Sequence, residues 1–240
     1  MVIALNNMYR VLNLKKIFEI SENEKIIFEN MNLEIDNNKI TVVLGKSGCG
    51  KTTLLRMIAG LEEITYGSID FYNKSGEKVK AKIGMVFQES RLMPWLTVKE
   101  NIEIHGNKID TDKYLKMISL EEFKDAYPSQ LSGGMAQRVA IARALSYQPD
   151  TLLMDEPFSA LDYFTREQLQ REIIKVYEKT ETGIIFVTHN IDEALMLGHR
   201  IIVINEGKIH SYDIAKKFPR DIADMELINL KKEILKKINN

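Results

Sequence analysis

Cysteine is almost missing from this chain: Cys49 is the only one among 240 residues. A single thiol cannot close an internal disulfide, which fits a reducing compartment. No apolar run approaches the roughly 18 residues that span a bilayer. Work at a membrane would therefore need another chain to supply the membrane part. The N-terminus lacks a basic segment followed by an apolar one, so no secretory signal is expected. An excess of one charge is missing too. The chain has 33 Lys and Arg against 34 Asp and Glu, a formal net charge of -1. No whole-molecule field then recruits nucleic acid, and no local basic stripe stands in the first 215 residues. The lysine-rich end "LKKEILKKINN" reads as the solvated face of a helix. Internal repeats, low-complexity segments and obvious linkers are also absent.

What remains is ordinary globular material, 45% apolar and 28% charged, long enough for one large domain with its own core. "VIAL" and "YRVLNLKKIF" read as strands, and "KIIFENMNLEI" alternates as another. "DNNK" is a turn before the buried strand "ITVVLG". "GSIDFY" and "KIGMVFQ" are short strands. From about Glu89 to Gln148 the pattern is helical. "TLLMD", "GIIFVTH" and "RIIVI" are apolar runs separated by helices. Strands alternating with helices mean a parallel sheet covered on both faces. From Asp221 the spacing of Ile222, Met225, Leu227, Ile228, Leu230, Ile234 and Leu235 predicts an amphipathic terminal helix. The fold class is α/β, a core with an antiparallel N-terminal sheet and an inserted helical subdomain. The expected boundaries are 1–87 and 149–215 for sheet and core, 88–148 for the helical insert, and 216–240 for the last helix.

"GKSGCGKT", Gly45 to Thr52, matches G-x-x-x-x-G-K-[ST] between a strand and a helix. In such a loop successive backbone N–H groups converge on a phosphate, and glycine permits the close approach. Gly45, Lys46, Ser47, Gly48, Cys49, Gly50, Lys51, Thr52 and Thr53 are thus candidate nucleotide contacts. The helix start adds its own N–H groups and positive dipole end. Lys51 is placed to reach the β- and γ-phosphates, and the Thr52 hydroxyl to ligate Mg²⁺. Cys49 occupies a free position of the motif. It reads as a tolerated small residue or as a thiol made reactive by the helix end and Lys51. "TLLMDEP", Thr151 to Pro157, ends an apolar strand in two acids, at the edge where parallel sheets bind ligands. Asp155 can hold Mg²⁺, and Glu156 can polarise a water toward the γ-phosphate.

"QLSGGMAQRVAIARAL", Gln130 to Leu145, resembles the signature motif of ABC ATPases, the nucleotide-binding subunits of ATP-binding cassette transporters. The order of "GKSGCGKT", "VFQE", "LSGG", "LLMDEP", "SALD" and "VTH" is similar to that family over nearly the whole chain. The resemblance implies a P-loop NTPase, RecA-like core working as a pair of cassettes. Each signature closes over the ATP held by the other, so Ser132, Gly133 and Gly134 would bind the partner's nucleotide. Ser132 can also cap the helix it opens. The resemblance further assigns Gln88 to Mg²⁺ and the attacking water, and His189 to the γ-phosphate. It assigns Asp162 to communication across the dimer, with a helix N-cap as the plainer reading, and Phe18 to stacking on adenine. Arg138 and Arg143 read as structural ion pairs.

"QESRLMPWLTVKEN" together with "LSGGMAQR" resembles the nitrate/sulfonate/taurine importer group. Met135 is usual in that group, whereas Ser159 stands where it often has Gly. The implied function is an ATP-hydrolysing importer subunit, with ATP and Mg²⁺ as ligands, at the cytoplasmic face of the membrane. The implied partners are a second cassette, as a homodimer, an integral permease and, indirectly, a solute-binding protein. In importers of this kind the segment around Pro94 and Trp95 meets the permease. An exporter or lipoprotein-release ATPase and an iron–sulfur assembly ATPase are the alternatives.

Overall fold

The computed structural model describes residues 6–20, 23–106, 109–159, 161–180, 182–205 and 207–239. The strand expected at "VIAL" lies outside them. The strands are β1 (Met8–Ile20), β2 (Asn23–Asp36), β3 (Ile40–Leu44), β4 (Tyr66–Tyr72), β5 (Lys78–Val79), β6 (Ile83–Val86), β7 (Thr151–Asp155), β8 (Gly183–Thr188), β9 (Arg200–Asn205) and β10 (Lys208–Asp213). The helices are α1 (Lys51–Ile58), α2 (Val98–Glu103), α3 (Thr111–Met117), α4 (Gly133–Ser146), α5 (Tyr163–Thr180), α6 (Ile191–Leu197) and α7 (Met225–Asn239). The chain divides into two compact units, residues 1–81 with 183–240, and residues 82–182.

In the first unit β2, β1, β4 and β5 form an antiparallel sheet in that order. Their alternation follows the solvent and core faces: Val11, Leu33, Ile35 and Phe71 are buried, with Arg10 and Glu34 paired outside at 3.0 Å. The second set runs β10-β9-β3-β8, with β3 parallel to both β8 and β9. Every residue of β3 and β8 is buried. A parallel strand covered on both faces cannot alternate, which is why "ITVVL" and "GIIFVT" read as continuous apolar runs. α1 packs on β8, α6 on β3, and α7 on β9. Leu227 and Ile234 of α7 are buried, one stripe of the expected amphipathic helix.

Two features here were not legible. The hairpin partner β10 has too few apolar residues to announce itself, because it is an edge strand held to β9 by backbone bonds. Around its far end, His199 Nδ1 accepts the Ile40 N–H at 3.1 Å. Buried Arg220 donates to the Leu195 and Gly198 carbonyls at 2.8 and 2.6 Å.

In the second unit β6 and β7 pair in parallel, and α4 lies against β6, α2, α3 and α5. α4 is buried on most of its circumference, and Val139, Ala140, Ile141, Ala142 and Ala144 let its neighbours approach closely. α2 opens with a capping box, Thr97 and Glu100 each bonding the other's backbone N–H. Buried Asn101 ties down the loop ahead of α2. It donates to the carbonyls of Met93, Leu96 and Thr97 and accepts the Met93 N–H at 2.8 Å.

His199 gives the first unit a pH dependence. Burial first, then Arg220 and Lys39, lower its pKa from 6.5 to about 4. The unfolded chain takes up a proton near pH 6.5 while the folded chain resists until about pH 4. The stability it contributes is full above pH 6.5 and is lost as pH falls through that window. Melting temperatures from pH 7 down to 4 should therefore fall less steeply in His199→Asn, whose amide oxygen can still accept the Ile40 bond. Parallel curves would refute this.

Candidate functional site

The glycine loop begins where β3 ends. Gly50 sits at φ 100°, a left-handed conformation at the start of α1. A Cβ there would meet Ile27 Cγ2 at 2.5 Å and the Phe28 ring at 2.6 Å. Both the backbone and the space therefore require glycine. Lys51 is buried, and its ammonium donates to the Gly45 and Lys46 carbonyls at 2.9 and 3.0 Å. The side chain thus folds across the loop it follows, with a third N–H left for a phosphate oxygen.

The beginning of α1 differs from the other helix starts. α2, α3, α4 and α6 each begin at a side chain that accepts a backbone N–H: Thr97, Asp110, Ser132 and Asn190. α1 begins at Gly50 with no side-chain cap bond and no acidic residue in its first turn. An N-terminus left uncapped by side chains, with a lysine beside it, is complementary to an anion. Cys49 stands in this loop, half-buried. Burial pushes its thiol up, against the lowering effect of Lys51. That direction favours the tolerated small residue over the reactive thiol.

Two further first-unit residues, Phe18 and His189, are those the resemblance assigns to adenine and the γ-phosphate. Phe18 lies near the end of β1, partly exposed. His189 stands one residue beyond β8, at the carboxyl end shared with β3. The turn that carries it is held by Thr188 Oγ1 donating to Glu193 at 2.5 Å and by Asn190 capping α6. Neither Asn190 nor Glu193 was singled out from the sequence, since a cap and a buried acid carry no motif.

In the second unit Asp155 closes β7 with only 6% exposure. Glu156 follows at φ 43°, a left-handed backbone that a non-glycine residue adopts at a cost of about 1 kcal/mol or more. Gln88 lies two residues past β6 rather than ending it, because the chain leaves the sheet at Phe87. The loop it opens is held by α4: Gln137 donates to the Phe87 carbonyl at 3.1 Å, and Arg143 to Ser90 and Arg91 at 3.0 and 2.8 Å. Arg138 donates to the Ile118 carbonyl at 2.9 Å. Arg138 and Arg143 are thus structural, but their hydrogen bonds go to main-chain carbonyls and not to carboxylates as expected.

Ser132 caps α4 through the Met135 N–H at 3.3 Å. Asp162 accepts the Thr165 N–H at 3.1 Å and so caps α5, and these bonds hold its carboxyl below the usual range. The structure brings these two caps together. A Cβ on Gly134 would meet Thr165 Cγ2 at 2.2 Å, whereas one on Gly133 would meet nothing within 4 Å. The two signature glycines therefore do different things: Gly134 lets two helices approach, and Gly133 keeps an exposed surface bare.

The oxygen donors that the sequence reading gave to Mg²⁺ fit a hard cation. Thr52 offers a hydroxyl in the first turn of α1, and Asp155 a buried carboxylate at a strand end. Among the described residues no cluster of three or more His, Cys, Asp or Glu forms a metal cage.

From this geometry, Gly134→Ala should destabilise the protein by about 1–3 kcal/mol through overpacking, while Gly133→Ala leaves the melting temperature unchanged. Equal melting temperatures for both variants would contradict the assignment.

Residues 28–159 match the family model described as ABC transporter. The chain is 45% identical to an uncharacterized ABC transporter ATP-binding protein of Methanocaldococcus jannaschii, covering 94% of this chain and 89% of that protein. It is 43% identical to the aliphatic sulfonates import ATP-binding protein SsuB of Bacillus cereus, over 87% of each. The Bacillus subtilis protein of the same name is 39% identical over 92% of this chain and 90% of its own length. Among solved structures, a dimeric ATP-binding cassette in a post-hydrolysis state with ADP and Pi superposes with a TM-score of 0.74. It is 32% identical and covers 87% of this chain and 100% of that one. With the loop, strand-end acids and signature helix in place, the chain belongs to the ABC transporter family of ATP-binding cassettes.

Proposed function

We propose that this chain is the ATP-hydrolysing subunit of an importer for a small solute of the sulfonate, nitrate or taurine kind, or a vitamin precursor. The observation that carries the ATP assignment is the start of α1, which has no side-chain cap and has Lys51 folded beside it. Amides of the loop from Gly45 to Thr53 cradle the phosphates, and Phe18 stacks on adenine. Thr52 and Asp155, with Gln88, would hold Mg²⁺, which offsets phosphate charge in transfer to water. Glu156 takes a proton from water as its oxygen bonds to the γ-phosphorus and the bond to the ADP oxygen breaks. His189 steadies the γ-phosphate.

The cassette works as a homodimer, as in the dimeric relative. Ser132, Gly133 and Gly134 close over the second copy's ATP, and Asp162 carries the signal between copies. ATP bound between two copies favours the closed pair by its differential affinity.

The importer reading is supported by relatives named for aliphatic sulfonate import, and by a groove in the second unit. That groove, ≈ 390 Å³, is lined mainly by Met85, Phe87, Met93, Ile104, Arg143 and Tyr147. Trp95 in the same connecting segment is 70% exposed. A permease's cytoplasmic segment fits this apolar face. No helix among the described residues is long and apolar enough to cross a membrane. On this reading the permease holds the cassette at the cytoplasmic face. A solute-binding protein outside delivers the solute, and nucleic acid has no part.

Two outcomes follow. Glu156→Gln should retain ATP binding, lose at least about 100-fold in kcat as expected for a lost general base, and accumulate as an ATP-bound dimer in gel filtration. Normal turnover would refute its role. Tagged protein purified from native membranes in mild detergent should bring a polytopic permease, identified by mass spectrometry, and Trp95→Asp should lose it while keeping its melting temperature. A soluble partner set would instead point to the assembly-type ATPases.

A further inference from the structure

We propose that Lys16 is a positioning residue for the nucleotide base, backing one face of the Phe18 ring so that the other face is set for adenine. The inference rests on the assignment of Phe18 to adenine made above.

A lysine on a strand normally snorkels to water. Lys16 instead is 6% exposed. Its ammonium lies 2.6 Å from the Glu62 carboxylate and donates to the Glu63 carbonyl at 2.9 Å. The same ammonium stands 4.4 Å from the centroid of the Phe18 ring, within cation–π range. Two of its three N–H groups are committed to Glu62 and Glu63, so its place over the ring is fixed by partners other than the ring. Glu62 and Glu63 lie just beyond α1, the helix whose first turn carries the phosphate loop. The clasp therefore ties the strand that carries the aromatic to the segment that carries the phosphate site.

Two consequences follow for the ring. It cannot rock toward the side the ammonium occupies, so stacking costs less ordering when a base arrives. Its π-density is also drawn toward the cation on one face, and the ring is partly exposed, so in this proposal the other face takes the purine. A phenyl ring lacks the hydroxyl that could anchor a tyrosine, and the lysine supplies the missing constraint from beneath.

The test separates the base from the phosphates. Binding of ATP and of inorganic tripolyphosphate, a base-free probe, would be measured by calorimetry for the full-length wild type, Lys16→Met, Lys16→Arg and Phe18→Ala. Lys16→Met should weaken ATP about 5- to 10-fold, the scale of one cation-backed contact. Tripolyphosphate affinity should not change, and Lys16→Arg should recover most of the loss. If Lys16→Met does not fold, Glu62→Gln reads the same selectivity with the lysine in place. Equal loss for both probes, or no loss for either, would overturn the proposal. Phe18→Ala distinguishes the two levels. An ATP-selective loss there with none in Lys16→Met refutes the clasp alone, while no loss in Phe18→Ala refutes the adenine assignment and the clasp with it.

Discussion

The first turn of every helix exposes backbone N–H groups that the helix cannot satisfy. In this chain side chains satisfy them at the start of α2, α3, α4 and α6, whereas no side chain caps α1. Much of the first unit serves to hold that end in place. β3 is buried on both faces, so its last residue delivers the loop at a fixed point. Gly50 then reverses the chain against Ile27 and Phe28, where no side chain would fit. Lys51 stiffens the turn by bonding back to its own loop. The phosphate proposed for this loop has the shape and charge that would complete the arrangement.

The parts of this design that were legible in the sequence are local. A phosphate loop must be contiguous because consecutive amides converge on one ligand, so Gly45 to Thr52 announces itself. The doubly buried strands β3, β7 and β8 read as apolar runs for the same reason. Ser132 was legible as a cap because capping acts over three residues. What stayed hidden is long-range. Gln137 and Arg143 reach back 50 and 53 residues to hold the Gln88 loop. Arg220 reaches 25 residues to the end of α6. Lys16 meets Glu63 across 47. None of these pairings has a spacing that a strand or helix period would reveal.

The misreading of Arg138 and Arg143 has the same origin. A sequence shows charges and invites pairing of charges. Yet a guanidinium has five donors in a planar fork, and the turns beside α4 offer it main-chain carbonyls at Ile118, Ser90 and Arg91. Burial lowers the pKa of both arginines. Here the long side chains serve as scaffolding for backbone, and the fold spends charge to keep loops in one shape.

α4 joins several of these threads in one element. Its first turn carries the signature glycines, its middle holds the Phe87 carbonyl through Gln137, and its last turns grip Ser90 and Arg91 through Arg143. Ala144 and Tyr147, at its far end, line the apolar groove. Fourteen residues make a rod about 21 Å long, and a buried helix is stiff along its axis. A displacement of one end is then a displacement of the other, delivered to the groove without any intervening hinge. The helix is a strut, and the bonds of Gln137 and Arg143 along it fasten the Gln88 loop to the same rigid body.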